Sequence, residues 1–288
     1  MQVIHKLAVR FIAAGLLFGM ALSAAHAADA VCEPAKMAAK YPGLKGKTVK
    51  IGQDGESPPF SMRDQKDFNH LIGLDADMAR AVFACAGVPV EFTTGQWSGL
   101  IPATMAGRID VMWDQLLYTP ERAKRMDFVA YMNSATGILV AKGNPKHLKS
   151  MDNLCGVRAT AALGTTQEAM MRDASAKCTA AGKPAVEVIT SPDIPSQLRL
   201  VQADRADVMA GNKFVVDAMV AANGNVESAF DVVTGAKLAA GAAKGNPDLV
   251  KAIHDSLDVL QRNGTIKTIY ERYHVDYGLV IKPEILVN

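Results

Sequence analysis

Arg122 closes the run Tyr118-Thr119-Pro120-Glu121-Arg122. Thr119 suits a helix N-cap and Pro120 the first helical position, so the spacing predicts Arg122 in a first turn, just after a loop. A guanidinium placed there can make a bidentate pair with a carboxylate. By position alone, an ion pair with Glu121 or Asp127 is the more ordinary use of a loop arginine. Thr165 and Thr166 stand at a second expected helix start, with Thr165 and Glu168 at capping-box spacing. Free N–H groups and hydroxyls at such a start favour an anion. Arg122 and the two threonines are therefore suited to clamp one carboxylate from two sides. Signatures of covalent or metal chemistry are missing: there is no GxSxG, SxxK, HExxH or CxxC, and His70, His147, His254 and His274 are scattered. Gly164 stands without the further glycines a phosphate loop needs, and no cofactor or metal is expected.

The elements that must position these residues belong to a globular chain. Of 288 residues, 49% are hydrophobic and 21% charged, which excludes a disordered chain and a multi-span membrane protein. The net charge of +2 is accounted for by Lys6 and Arg10. The remainder is neutral and has no basic run, a poor profile for binding nucleic acid. Residues 1–27 read as a cleaved signal peptide: a basic start, an uncharged apolar run from Phe11 to Ala25, and Ala25-His26-Ala27 at the cleavage point. Export to an oxidising compartment changes the reading of Cys32, Cys85, Cys155 and Cys178. Four cysteines allow three pairings. Cys32–Cys85 and Cys155–Cys178 are preferred because each would stay within one lobe; buried free thiols are the alternative.

Along the chain, strands are expected at Thr48 to Gln53, Pro89 to Phe92 and Ile109 to Trp113, with helices at Leu74 to Ala86 and Trp97 to Ala106 between them. After an extended stretch from Tyr131 to Lys142 the pattern restarts. Strands are expected at Val157 to Ala161, Val186 to Thr190 and Asp207 to Ala210, and helices from Thr165, from Ile194 and near Phe214. A strand at Leu238 to Ala243 and a helix from Asn246-Pro247 to Asn263-Gly264 follow. Two βα systems of parallel-sheet type imply an α/β fold of two lobes. The crossings fall near 133–138 and 234–238, giving lobe 1 from 28–135 plus 236–288 and lobe 2 from 136–235. Ligands lie beyond the C-terminal ends of parallel strands. That rule selects the loops Asp54 to Phe60, Asp114 to Arg122, Gly164 to Glu168 and Gly211 to Lys213. No long heptad run is visible, so a monomer is expected.

Four stretches carry a family resemblance: IGQDGESPPFS from Ile51, LIGLDADMARAVFACAGVPVEF from Leu71, WSGLIPATMAGRIDVMWDQLLYTPERAKRMDF from Trp97 and LCGVRATAALGTTQE from Leu154. From Thr48 to about Asp276 the sequence resembles the family 3 periplasmic solute-binding proteins of amino-acid ABC importers, relatives of the ligand-binding domains of ionotropic glutamate receptors. The resemblance implies a type II binding-protein fold with a two-segment hinge, closure on a small ligand, and delivery to an inner-membrane ABC permease. It implies that Arg122 binds the ligand's α-carboxylate, that Thr166, beside Thr165, bonds the same group, and that Trp97 forms an aromatic wall. It places Asp54 and Ser57, with Glu56 between them, against the ligand side chain, and Asp114 and Gln115 in the loop that receives the ligand.

Two positions depart from the family pattern. Its second-lobe acid, partner of the α-ammonium, falls at Asn212, and a neutral amide cannot supply a charge-assisted bond. A customary hydroxyl falls at Leu117. Asp54, Glu56 and Asp114 could instead hold a cationic end, stacked on Trp97 or Trp113. The expected ligand is an amino acid or related small carboxylate. The main rival is a periplasmic cyclohexadienyl dehydratase-like enzyme with Glu56 or Asp114 as the proton donor. A further one is a sensor lobe signalling through a separate membrane kinase.

Overall fold

The computed structural model describes residues 30–287; the expected signal segment lies outside the described residues. The local signals act as their chemistry requires. Helix Leu74–Ala86 buries Leu74, Met78, Val82 and Cys85 and stops at Gly87, which takes the left-handed backbone (φ 71°) open to glycine. Thr119 accepts the Arg122 amide and starts the short helix Pro120–Ala123. Helix Thr166–Ala180 opens with Thr165 Oγ1 accepting the Glu168 amide. The reciprocal bond goes one residue further out than a capping box predicts: the Glu168 carboxylate accepts the Gly164 amide at 2.7 Å.

Two sheets organise the chain. The first has six strands in the order Val280–Leu286, Met126–Asn133, Lys237–Ala243, Val111–Met112, Val49–Gln53, Val90–Thr94. The second has five, in the order Glu187–Ser191, Arg158–Ala162, Val208–Asn212, Thr136–Ala141, Val226–Val232. Both are mixed, which corrects the expected parallel pattern. Val49–Gln53 pairs in parallel with its two neighbours, as does Arg158–Ala162. The strands on either side of each crossing run antiparallel, because the chain enters the other sheet there without a helical crossover. The expected extended stretch from Tyr131 to Lys142 is two strands, one in each sheet.

The first sheet is covered on one side by helices Leu74–Ala86, Pro247–Arg262 and Thr265–Arg272, and on the other by Trp97–Met105. The C-terminal helices return to the first sheet and are pinned there. Arg272 and Tyr273 both donate to the Asp77 carboxylate, at 2.7 and 2.8 Å, and Tyr41 donates to Asp255. The second sheet has its own core around Ile138, Leu154 and Met171. Near the crossings the two halves touch through Phe60 and Phe214, whose rings meet edge to face at 6.0 Å. Disulfides join Cys32 to Cys85 and Cys155 to Cys178. No helix among the described residues is long and apolar enough to cross a membrane.

Candidate functional site

Arg122 lines a cavity between the two sheets. Its guanidinium donates to Leu117 O at 2.6 Å and, across the gap, to Gly164 O at 3.0 Å. The Trp97 ring lies 5.5 Å from its central carbon, a cation–π contact. No carboxylate pairs with Arg122 among the described residues, so neither Glu121 nor Asp127 takes it; they bind Lys124 and Lys244 instead. Two of the five N–H donors are used and three are left. Burial lowers the Arg122 pKa to about 10, which leaves it cationic at neutral pH.

The opposite wall is the start of helix Thr166–Ala180. An α-helix leaves its first amides without acceptors inside the helix. Thr165 Oγ1 takes that of Glu168 and donates to Ala162 O, so its hydroxyl is spent on the cap. Thr166 and Gln167 carry the remaining amides, and both residues line the cavity. Gly164, at φ 78°, turns the chain so that its carbonyl meets Arg122. The cavity thus sits between a guanidinium and the positive end of a helix dipole, a field suited to one carboxylate.

Six of the ten expected ligand residues line this cavity: Trp97, Gln115, Arg122, Thr165, Thr166 and Asn212. Asn212 is spent on structure. Its Oδ1 accepts the Phe214 amide as a helix cap, and its Nδ2 donates to Ser134 Oγ. Asp54, Glu56, Ser57 and Asp114 do not line it. Asp54 holds its own loop, accepting the Glu56 amide at 2.9 Å and the Ser57 hydroxyl, and its own amide donates to Asp114. Asp114 is fully buried, with one carboxylate oxygen lacking any partner. Glu56 is exposed. Asp54 and Glu56 instead line a separate pocket behind Trp97, with Asp193 from the second half. Sequence reasoning passed over Gln167, Ile194, Gln197 and Met209, which also line the cavity. Gln197 follows strand Glu187–Ser191, so the strand-end rule could have found it.

Behind the Trp97 and Gln115 wall lies a group of buried acids. Asp75 accepts the Tyr131 hydroxyl at 2.7 Å and the Gln115 amide at 2.6 Å. Burial pushes Asp75 up to about 7 and Asp54 to about 6; burial first, and then the neighbouring Asp54 and Asp75 carboxylates, hold Asp114 well above the usual carboxylate range. A carboxyl raised in the folded state binds its proton there before the unfolded chain does. Its stabilising effect is present at low pH and is lost as pH rises through the folded-state value. The melting temperature is therefore expected to be several degrees higher at pH 5 than at pH 8. Asp75→Asn should flatten that slope, and an unchanged slope in the variant would contradict the assignment.

Residues 49–276 match the model of the bacterial extracellular solute-binding proteins, family 3. The L-cystine-binding protein TcyJ of Escherichia coli is 28% identical over 228 residues, covering 78% of this chain and 82% of the relative. The L-arginine-binding protein of Pseudomonas aeruginosa is 28% identical over 246 residues, covering 79% and 88%. Among solved structures, an ancestral arginine-binding protein bound to arginine superposes with a TM-score of 0.72 at 29% identity, covering 80% of this chain and 99% of that one. An ancestral amino acid-binding protein, described as a precursor of cyclohexadienyl dehydratase, gives 0.68 at 29% identity, covering 78% and 94%.

Proposed function

The chain belongs to the family 3 bacterial extracellular solute-binding proteins, and from that premise we propose that it is the periplasmic substrate-binding component of an ABC importer. It captures an amino acid or related small carboxylate by hinge closure and delivers it to an inner-membrane permease. The observation that carries this reading is the Arg122 guanidinium, which faces a cavity between the sheets with no carboxylate partner among the described residues. Ligand meets Arg122 and Trp97 on the first lobe. Thr166 and the helix start it heads gain their contacts when the second lobe swings in, and that gain drives closure. The lobes are 28–135 with 236–288, and 136–235.

The reading is of a binder and not an enzyme. A dehydratase needs a carboxylic acid within reach of the bound molecule. Glu56 is exposed on the far side of Trp97, and Asp114 is sealed behind that wall. Export after cleavage of residues 1–27 accounts for two disulfides in one chain.

A thermal-shift screen of amino acids, hydroxy acids and other small carboxylates tests the proposal. Ligand at one hundred times its Kd adds about 2.7 kcal/mol of stability. For a chain of this size that is an upward shift of about 5 °C or more. At least one carboxylate is expected to give it and to be recovered chemically intact. A flat response across the screen, or recovery of a dehydrated product, would refute the reading.

A further inference from the structure

We infer that Gln197 sets the specificity of this cleft, and that the cleft selects a monoanionic carboxylate whose other polar group is neutral, an amide or a hydroxyl, over a zwitterionic α-amino acid. The inference rests on the reading of the Arg122 cavity as the ligand site.

Four side-chain amides line the cavity, and three are committed within the protein. Gln115 Nε2 donates to Ser57 Oγ at 3.0 Å. Gln167 donates to Thr136 Oγ1 and accepts from Thr166 Oγ1, each at 3.2 Å. Asn212 has both ends engaged. Gln197, in the first turn of helix Ile194–Gln202, differs from all three. It is only 1% exposed, and its Oε1 has no hydrogen-bond partner. A buried carbonyl left unpaired costs about 1–3 kcal/mol. A ligand that donates a hydrogen bond to it removes that cost on binding, so Gln197 discriminates between ligands with and without such a donor.

Charge decides which donor. Arg122 is the one ionisable side chain among the described residues lining the cavity. A ligand carboxylate neutralises it. An ammonium on the same ligand would then be a buried charge without a partner, and such charges are costly. No Asp or Glu among the described residues lines the cavity. Glu168 binds the Gly164 amide and Arg172, Asp54 holds its own loop, and Asp114 is sealed behind Trp97 and Gln115. The Asn212 carbonyl, on the cavity wall, is taken by the Phe214 amide. An amide N–H or a hydroxyl satisfies Gln197 without importing charge.

Calorimetry on the mature protein tests this with matched probes: alanine, leucine, phenylalanine and glutamine, each with its 2-hydroxy and its N-acetyl counterpart. Within the best-binding series, a monoanionic member, hydroxy or N-acetyl, is expected to bind at least tenfold more tightly than the zwitterionic amino acid. Gln197→Leu should cut that preference at least tenfold without lowering the melting temperature of the ligand-free protein, because a side chain with a buried, unpaired carbonyl is replaced by an apolar one of similar size. Asn212→Asp, which keeps the helix cap and adds a carboxylate to the wall, should move the preference towards the amino acid. Tighter binding of the amino acids by the wild-type protein, or an unchanged preference in Gln197→Leu, overturns the inference while leaving the carboxylate-binding reading intact. Binding of no probe in any series overturns both.

Discussion

Replacing Arg122 with Ala is expected to weaken carboxylate binding by a hundredfold or more. Removing one partner of a buried, charge-assisted pair typically costs 2–5 kcal/mol, and 1.4 kcal/mol is a factor of ten in affinity. Here the guanidinium makes no ion pair inside the protein, so its removal strands no carboxylate. The fold loses only two bonds to carbonyl oxygens and the contact with Trp97. The variant should therefore fold, melt within a few degrees of the wild type and fail to bind. Arg122→Lys keeps the charge but loses the planar fork and should recover only part of the affinity. Calorimetry with the best carboxylate from the thermal screen gives the comparison. Equal affinity in wild type and Arg122→Ala would remove the anchor from the account.

The second large effect is on stability. Each disulfide closes a loop within one half of the molecule: 53 residues separate Cys32 from Cys85, and 23 separate Cys155 from Cys178. Loop-closure entropy in the unfolded chain puts their contributions at about 4 and about 3 kcal/mol. Replacing either pair with Ala should lower the melting temperature by about 6 °C or more, with the Cys32–Cys85 pair having the larger effect. Neither pair contributes to the Arg122 cavity, so the affinity of the folded fraction should be retained. Scanning calorimetry of the two double variants checks the order. A loss of less than about 2 °C from removing Cys32–Cys85 would show that its loop is already restricted in the unfolded chain.

What the sequence conveyed about the fold follows the physics of short-range signals. Helix ends were legible because capping is local: Thr119, Thr165 and Gly87 each act on backbone groups a few residues away. Three strands of the two large sheets were not. Met126–Asn133 is buried on almost its whole length, so it lacks the alternation that marks a half-exposed strand. Val226–Val232 and Val280–Leu286 lie at sheet edges with broken patterns, the latter carrying Pro283, which edge strands tolerate. The antiparallel sense of the central strands depends on where the chain changes sheets, which no local window contains.

The candidate site was legible where loop position settles the matter and opaque where side-chain direction does. Arg122, Trp97 and Thr166 follow from strand ends and helix starts. Whether Asp54 faces the cavity or its own loop is a question of one rotation. The answer depends on Ser57 and the Glu56 amide being close enough to satisfy the carboxylate first. Asn212 is the same case: its amide could serve a ligand or a helix cap, and the neighbouring Phe214 amide takes it. Gln197 could be found by position, since it follows a strand end, but not by role, because an unpaired amide is recognised only once everything around it is in place.

A crystal structure of the protein with the carboxylate that most raises its melting temperature tests the central claim most directly. The account predicts two ligand oxygens within hydrogen-bond distance of the Arg122 guanidinium, the Thr166 or Gln167 amide on the same group, and the lobes closed around it. A ligand lying outside the gap between the sheets, or one bound there with its carboxylate turned away from Arg122, would contradict it.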